Sequence, residues 1–469
     1  MSERVMISPV TRLNGFWRVD VLIEDGIVKD AWSSGIFFRG FELILEGREP
    51  RDAIYLTERI CGICSSAHGM ASSRALENAC GVEAPRNGVL MRNLIFAVDM
   101  LQNHIRHFYL LAVPDFVEGP DMPPFLPRYN VDFRLSKSAT ERIMANYLES
   151  LKLTREFMEI QANLGGKSPH THGILAGGAP VAPDADKIRY SLSVVDRARK
   201  FITEKYIPDV YTLGEAYPDY YEIGKGHGNF LIYDLFPQTQ PDGGPVHKGG
   251  VMIDGRLESL DIGAITEHVR FSWFSPEDGP RKPEAGSTHP DTRKVDAYSW
   301  VKAPRYRGKA VETGPLAVQW IARGYRRGIS VMDRHVARAL MTKETAELIR
   351  EWLLSLEPGK PVFEPYEIPA EAEGVGAVEA FRGGLGHWVK IEGRRIARYQ
   401  IVTPSAWNCS PRDDSGQRGA VEEALVGTPV KDPRAPIEVG RVIRSFDPCL
   451  ACAAHVIRSD GSREDIRIS

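Results

Sequence analysis

Long apolar runs are absent from this sequence of 469 residues. No stretch approaches the roughly 18 uninterrupted apolar residues of a membrane span, which excludes an integral membrane protein. Hydrophobic residues make up 43% of the chain and charged residues 26%, so fibrous and disordered classes are excluded as well. The opening residues, MSERVMISPV, lack a basic segment followed by an apolar one. We therefore expect no export signal on this chain.

An excess of positive charge is also absent. The 59 Lys and Arg residues against 62 Asp and Glu leave a formal net charge of -3, and no basic stripe is interleaved with aromatic residues. We expect no nucleic acid among the partners. The length exceeds the roughly 250 to 300 residues at which one hydrophobic core usually stops growing, so one large elaborated domain or a few lobes are the options.

Apolar periodicity predicts a helix-rich α+β fold, a long-helix bundle core with N-terminal and C-terminal β-hairpins. Alternation from about residue 5 to residue 37, and again over residues 386–402, predicts the two hairpins, with turns at Asp25-Gly26 and Glu392-Gly393. Residues 224–262 predict strands, and residues 275–315 predict extended irregular chain. Apolar spacing of three and four residues predicts long helices at Val89 to Ala112, Ala139 to Gly165, Ala185 to Tyr206 and Val318 to Leu356.

Cysteine is scarce, and six residues are too few for a disulfide scaffold in so long a chain. Four of the six form two Cys-x-x-Cys pairs, Cys61 with Cys64 and Cys449 with Cys452. Residues three apart on a turn or helix start point the same way, and thiolates gather soft metals. A metal site shared by the two pairs is therefore the first hypothesis.

Two alternatives to that hypothesis concern zinc and redox chemistry. Zinc ribbons place their pairs roughly 15 to 20 residues apart, whereas 388 residues separate Cys61 from Cys449. A thioredoxin-like pair needs a strand-to-helix context that neither motif shows. The two remaining cysteines, Cys80 and Cys409, are expected to be small apolar residues without a role.

The residues around the two pairs resemble motifs of a known family. Arg59 to His68, RICGICSSAH, is similar to R-x-C-G-x-C-x-x-x-H, and Asp447 to His455, DPCLACAAH, is similar to D-P-C-x-x-C-x-x-H, of the large subunit of nickel-iron hydrogenases. The corresponding subunit of respiratory complex I, which lost hydrogenase chemistry, lacks the four cysteines that this chain retains. The likeness extends over essentially the whole chain, through residues 37–53, 104–115, 165–180, 298–308 and 379–413.

The resemblance implies a nickel-iron centre at the cysteines. All four would bind nickel, and Cys64 and Cys452 would also bridge to an iron that carries CO and cyanide. Pro404 and Ser405 match positions around these diatomic ligands, with the Ser405 hydroxyl donating to a cyanide nitrogen.

Three residues are implied in the reaction itself. The guanidinium of Arg382 would lie over the open nickel-iron position as a fixed cation, with Asp447 as its ion-pair partner. A cysteine thiolate would be the first base, a role that we assign to Cys449. An ordinary salt bridge is the alternative for Arg382 and Asp447.

A second, magnesium-type site is also implied. Glu42, the backbone carbonyl of Ile401 and His455 would offer hard oxygen ligands and an imidazole, together with waters. His68 is expected to form hydrogen bonds rather than to bind a metal. The same is expected of two histidines three apart on one helix face, His104 and His107.

Three segments depart from the family pattern. Asn14 stands where the family has a glutamate next to a bridging cysteine, the expected first proton carrier, and Phe16 replaces a histidine two places on. Asn103 stands where a carboxylate is common, and Phe381 where proline is usual. Because an amide cannot titrate, we expect slower proton escape or a relay rebuilt elsewhere, with the metal centre retained.

The resemblance implies the catalytic subunit of a nickel-iron hydrogenase, which oxidises H2 reversibly to protons and electrons. Subtracting the four ligands leaves two cysteines, too few for an iron-sulfur cluster, so an iron-sulfur small subunit is the expected partner. Its interface would run beside both cysteine motifs and Gly165 to Pro180. The alternatives are an H2-sensing regulatory hydrogenase with low turnover, which Asn14 favours, and a metal-free structural subunit.

We interpret residues 1–469 as a single large catalytic domain with a removable tail. In the family a maturation protease removes such a tail, so the mature chain is expected to end at His455, and nickel-insertion factors are further expected partners. Because exported members carry their signal on the small subunit, the compartment is left open. The predicted parts are an N-terminal hairpin and lead-in (1–60), a helical bundle (61–220), a strand-rich and irregular insertion (221–316), a helix, hairpin and second metal motif (317–455), and the tail (456–469).

Overall fold

Long helices form the centre of the structure. The computed structural model describes residues 2–126, 128, 132–240 and 243–453, apart from the side chains of residues 452 and 453. The α-helices of this part are α1 (Phe41–Leu45), α2 (Asp52–Glu58), α3 (Ser65–Cys80), α4 (Arg86–Arg106), α5 (Lys137–Gly165), α6 (Ala185–Phe201), α7 (Ile207–Ala216), α8 (Pro315–Ala322), α9 (Val331–Ser355), α10 (Pro404–Asn408), α11 (Ala420–Leu425), α12 (Ile437–Ser445) and α13 (Leu450–Ala453).

Helix α4 lies at the middle of the bundle. Its residues 87–105 are all buried, and it packs against α5 and α9, while α6 contacts both of these neighbours. A helix buried on every side belongs to the core of a large protein. Among the described residues, no helix combines the length and the apolar composition that crossing a membrane requires.

The predicted long helices are present, with two differences. Predicted helices 89–112 and 185–206 each finish in a π-helical turn, at His107–Ala112 and Ile202–Tyr206. The single helix predicted over residues 318–356 was wrong, because the chain forms α8 and α9 there. Gly324 follows α8 with a φ of 70°, a left-handed conformation that ends a helix, and Ser330 then caps α9 by accepting the N–H of Asp333.

Both predicted hairpins are confirmed, and each gains a third strand, so that the α+β class is confirmed. The strands are β1 (Ser2–Ile7), β2 (Trp17–Glu24), β3 (Ile27–Gly35), β4 (Phe230–Ile232), β5 (Gly250–Ile253), β6 (Arg256–Ser259), β7 (Ile265–His268), β8 (Ala303–Tyr306), β9 (Glu371–Ala380), β10 (Gly383–Glu392) and β11 (Arg395–Val402). They form antiparallel sheets in the orders β1-β2-β3, β11-β10-β9, β4-β5-β6 and β7-β8. The turn between β2 and β3 uses Asp25 and Gly26, both at positive φ, which suits the twist of a two-residue hairpin turn.

Helix α3, which follows the first cysteine motif, was not predicted. Its small residues lie directly on β9, where a Cβ at Gly376 would come within 1.8 Å of the Ala71 carbonyl oxygen, and a Cβ at Gly374 within 2.1 Å of the Ala75 oxygen. The two glycines therefore allow helix and strand backbones to touch. This contact holds the middle and the end of α3, the helix that follows Cys64, against the sheet that contains β9.

The two ends of the described chain meet in the core. Asn14 pairs with Cys449 in a short parallel bridge, and its carbonyl accepts the N–H of Leu450 at 2.7 Å. Gly15, at a φ of 93°, lies so close that a Cβ there would come within 2.1 Å of the Ala451 nitrogen. The second cysteine motif is thus fastened to the N-terminal segment by backbone contacts.

Candidate metal centre

Three cysteine thiols lie together in the interior. The Sγ atoms of Cys61, Cys64 and Cys449 are all within 4.8 Å of one another, and those of Cys61 and Cys449 are 3.4 Å apart. Cys61 and Cys64 belong to the turn that leads into α3, and Cys449 precedes α13. Three buried soft donors at this spacing can share a soft metal. The side chain of Cys452 and all of His455 lie outside the described residues.

Donors and a cation surround the thiols. The backbone N–H of Ile63 and the side-chain amide of Asn14 point at Cys61 Sγ from 3.3 and 3.0 Å. Burial opposes charge on Arg382, but Asp447 and the cluster cysteines outweigh that effect and hold the pKa of its guanidinium above the usual value. The site is therefore built for negative sulfur ligands beside a permanent positive charge, which suits a nickel-iron centre.

Arg382 and Asp447 form the predicted ion pair, with Nη2 and Oδ1 3.1 Å apart, and both side chains are buried. Arg382 also donates from Nε to the Asp447 carbonyl at 3.0 Å, and from Nη1 and Nη2 to Asn103 Oδ1 at 3.2 Å. Neither carboxylate oxygen of Asp447 makes a hydrogen bond of good geometry within the described part of the chain. Asp447 therefore keeps unused hydrogen-bonding capacity, although Oδ1 is paired electrostatically with Arg382.

A small enclosed cavity joins these groups to Pro404 and Ser405. Ser405 Oγ accepts the backbone N–H of Cys449 at 2.9 Å, so that α10 positions the second cysteine motif. The cavity thus brings together residues from Cys64 to Cys449, which lie far apart in the sequence. The cavity is lined by Cys64, Ala67, His68, Ala380, Phe381, Arg382, Leu385, Pro404, Ser405 and Cys449.

The second predicted site brings Glu42 and Ile401 together. Glu42 Oε1 accepts the backbone N–H of Ile401 at 3.0 Å, and Thr288 donates to its other oxygen. Lys302 Nζ lies 3.9 Å from Glu42 and 3.7 Å from Glu267. Burial raises the pKa of Glu267 to about 7, against the pull of Lys302. These are hard oxygen donors of the kind that magnesium prefers, and the carbonyl of Ile401 stays a predicted ligand.

His68 starts a buried chain of hydrogen bonds. Its Nδ1 is 3.1 Å from His387 Nε2, His387 Nδ1 is 2.8 Å from the Tyr399 hydroxyl, and that hydroxyl donates to Ser72 Oγ at 3.0 Å. Burial lowers the pKa of His68 to about 4, against the attraction of Cys449, so the ring is neutral near pH 7. The hydrogen-bonding expectation for His68 is confirmed. Sequence reasoning missed His387 and Tyr399, although both alternate inward on predicted strands.

The other expected hydrogen-bonding histidines and the two lone cysteines lie outside the described thiol cluster. His104 lies 3.1 Å from Thr342 Oγ1 and 3.0 Å from the Phe381 carbonyl, and His107 lies 2.6 Å from the Arg444 carbonyl. These contacts satisfy both ring nitrogens of His104, whereas His107 Nδ1 has no hydrogen-bond partner among the described residues. The two remaining cysteines lie outside the thiol cluster, Cys80 half-buried and Cys409 buried.

Asn14 lies beside the thiol cluster. Its amide is 3.0 Å from Cys61 Sγ and 3.6 Å from Cys449 Sγ. The expectation that position 14 adjoins a bridging cysteine stays a prediction, because the assignment of the bridging cysteines does. Phe16 points outward and stacks on Phe37, with ring centroids 4.3 Å apart.

Comparison with known proteins gives a consistent set of relatives. The family model described as nickel-dependent hydrogenase matches residues 39–121, 112–328 and 321–455. The periplasmic [NiFeSe] hydrogenase large subunit of Desulfomicrobium baculatum is 41% identical, over 99% of this chain and 97% of that protein. The hydrogenase-2 large chain of Escherichia coli (strain K12) is 32% identical, over 98% of this chain and 99% of that protein.

Solved structures of hydrogenases have the same fold as this chain. A [NiFeSe]-hydrogenase structure from Dm. baculatum superimposes with a TM-score of 0.94 at 41% identity and covers 97% of this chain and 100% of that chain. The reduced Ni-Fe-Se hydrogenase from D. vulgaris Hildenborough gives a TM-score of 0.93 at 41% identity, with the same coverage. Those names include selenium, whereas this sequence has cysteine at all four motif positions. Because the matches span the fold and both motifs, the chain belongs to the nickel-dependent hydrogenase family.

Proposed function

We propose that this chain is the catalytic subunit of a hydrogenase that reversibly splits H2 into two protons and two electrons. The observation that carries the proposal is the small pocket in which a buried thiol cluster faces a permanent cation, Arg382. A buried fixed charge stabilises developing charge without reorganisation, which is the main electrostatic device of enzymes. Family membership supports the same reaction.

The thiols and the cavity beside them would hold a nickel-iron centre. Cys61, Cys64, Cys449 and Cys452 would be its ligands, Cys64 and Cys452 would bridge the two metals, and Ser405 with its neighbour Pro404 would face CO and cyanide on iron. When bound, the centre supplies the Lewis acidity and the two-electron redox capacity that H2 cleavage requires.

Cys449, Arg382 and Asp447 would bind the proton and stabilise the charges in the pocket. Cys449 would take the first proton at Sγ, and Arg382 would favour the anionic form of the sulfurs around it. Asp447 orients the guanidinium through its carbonyl at 3.0 Å and through the ion pair. His68 would hold one wall of the pocket in place through its hydrogen bonds to His387 and, beyond it, Tyr399.

An iron-sulfur small subunit would remove the electrons. Only Cys80 and Cys409 remain outside the two motifs, and two thiols cannot hold a cluster that needs four. A magnesium-type ion held by Glu42, Ile401 and His455 would complete the C-terminal side of the site. Nickel-insertion factors and a maturation protease acting after His455 are proposed as assembly partners.

Steady-state H2-dependent reduction of an artificial acceptor tests the proposal on the heterodimer. Sustained turnover with nickel and iron in the large subunit is the expected result. Full metal content with very little turnover would instead favour an H2 sensor, and absence of both metals would refute a metal-dependent function.

A further inference from the structure

The pocket lacks a titratable side chain at two positions that matter for proton escape. Asn14 beside Cys61 and Asn103 beside Arg382 are amides, and an amide side chain cannot gain and lose a proton near neutral pH. The proposed function, H2 oxidation, nevertheless releases two protons inside a buried site. If that function holds, another route must take the protons out.

A buried carboxyl group stands one helical turn before Asn103. Asp99 accepts hydrogen bonds from Asn103 Nδ2 at 3.2 Å and from Gln102 Nε2 at 2.6 Å. Ser66, two residues after Cys64, donates to Asp99 Oδ2 at 2.5 Å. Asp99 is thus connected to both walls of the pocket, to Arg382 through Asn103 and to the first cysteine motif through Ser66.

A second buried carboxyl group also packs against α3. Glu58, at the end of α2, is fully buried, and neither oxygen has a hydrogen-bond partner among the described residues. Its Oε1 sits against Gly69, where a Cβ would come within 2.8 Å. Ser66 and Gly69 are three apart on α3 and therefore share a face. The contacts with Ser66 and Gly69 therefore place Asp99 and Glu58 against neighbouring positions of α3. The two groups also interact, since burial and, to a smaller extent, the charge of Asp99 raise the pKa of Glu58.

The Glu58 end of this row approaches solvent. Arg59 Nη1 lies 3.6 Å from Glu58 Oε2, and the Arg59 side chain is 40% exposed. His170, which is part-buried, lies 3.0 Å from the Glu58 carbonyl. The row therefore runs from the thiol pocket to a surface beside the first cysteine motif.

We propose that Asp99 and Glu58 are the proton-relay residues of this chain and carry protons singly between the metal pocket and the surface at Arg59. Asp99 receives a proton from the pocket side and passes it to Glu58, which releases it to water at the surface. The first transfer breaks the S–H bond of Cys449 and forms an O–H bond, each later transfer breaks one O–H bond and forms another, and each carboxyl group returns to its starting state. The two electrons leave separately through the small subunit.

The electrostatic surroundings of Glu58 and Asp99 suit proton transfer. Burial raises the pKa of Glu58 to about 8, against the opposing charges of Arg59 and Lys167. Burial also raises the pKa of Asp99, against its hydrogen bonds with Ser66 and Gln102. A carboxyl group whose pKa lies near the working pH can both accept and release a proton at useful rates. An ordinary structural carboxylate would instead be satisfied by hydrogen bonds, which Glu58 is not.

Glu58→Gln and Asp99→Asn in the metal-loaded heterodimer test the relay, because each keeps the shape and removes the proton. We expect H2-dependent acceptor reduction and exchange between D2 and solvent protons to fall on the order of 10²-fold, with a larger solvent isotope effect and unchanged nickel and iron. The matched control is Glu422→Gln, a buried carboxyl group whose pKa burial raises to about 7 but which contacts Ser33 and Tyr298. It should behave as wild type.

Two further measurements separate a relay from a structural role. Infrared spectroscopy should show a protonated carboxyl C=O band near neutral pH that disappears in Glu58→Gln, and Glu58→Asp should restore part of the exchange rate. Wild-type exchange in both metal-loaded amide variants, or equal losses in Glu422→Gln, would overturn the relay while leaving the proposed function intact. Failure of the wild-type heterodimer to exchange D2 at all would instead refute the proposed function.

Discussion

Arg382→Lys is the sharpest test of how the pocket uses its cation. The guanidinium now makes three kinds of contact: an ion pair with Asp447 at 3.1 Å, a bond to the Asp447 carbonyl at 3.0 Å and a fork onto Asn103 at 3.2 Å. A lysine ammonium keeps the charge but is a single point without the planar fork. The substitution therefore separates charge from orientation.

The size of each effect can be worked from these distances. With an effective dielectric constant of about 20, the Arg382–Asp447 attraction is about 5 kcal/mol, most of which offsets desolvation of two buried charges. Lysine retains much of that attraction and loses the fork, so we expect a folded, metal-loaded enzyme. Because a misplaced donor in a transition state costs about 10²- to 10³-fold, turnover per nickel should fall by that range.

The assay is H2-dependent reduction of an artificial acceptor, normalised to nickel. Arg305→Lys is a matched control, since Arg305 is equally buried and its Nε lies 2.8 Å from Asp413, away from the pocket. We expect it to lower stability without lowering turnover per nickel. Wild-type turnover in Arg382→Lys would refute the orienting role of the fork, and equal losses in both variants would show that the effect comes from folding.

Four further outcomes are expected. Cys64→Ser should lose bound nickel and activity, whereas Cys409→Ala should retain both by elemental analysis, and full nickel in the serine variant would exclude the ligand assignment. Intact mass of the active heterodimer should place the end of the large subunit at His455, and a mass that includes the tail would show that cleavage is not required. Asn14→Glu should raise D2 exchange without altering metal content, and an unchanged rate would show that this position is not used. Because burial raises the pKa of Glu58 from 4.5 to about 8, the native state binds the proton more tightly than the unfolded state. Its contribution to stability is therefore present below about pH 4.5 and lost as the pH rises through about 8, and denaturation across this range should show a shallower decline in Glu58→Gln than in wild type.

Local patterns in the sequence determined much of the fold. The hairpins around Asp25 and Glu392 and the helix of residues 139–165 follow from periodicities that span a few residues each. The two cysteine motifs are equally local, because three-residue spacing alone sets a pair of thiols side by side. Fold class and metal chemistry could therefore be predicted without coordinates.

Long-range packing decided the rest. Helix α3 could not be predicted from its own sequence. Its small residues pack on β9 because Gly374 and Gly376, which lie about 300 residues later, let the two backbones touch. The break between α8 and α9 depends on a left-handed Gly324, and an isolated glycine does not by itself end a helical pattern.

The clearest case is the pocket itself. Cys61 and Cys449 are 388 residues apart in sequence and 3.4 Å apart in space, held by backbone pairing between Asn14 and Cys449. The sequence by itself determined which side chains carry the chemistry, since residue type and spacing are local properties. Only the tertiary structure decided that Asp99 of α4 and Glu58 of α2 both pack against α3, because burial and the removal of competing partners arise when distant segments pack together.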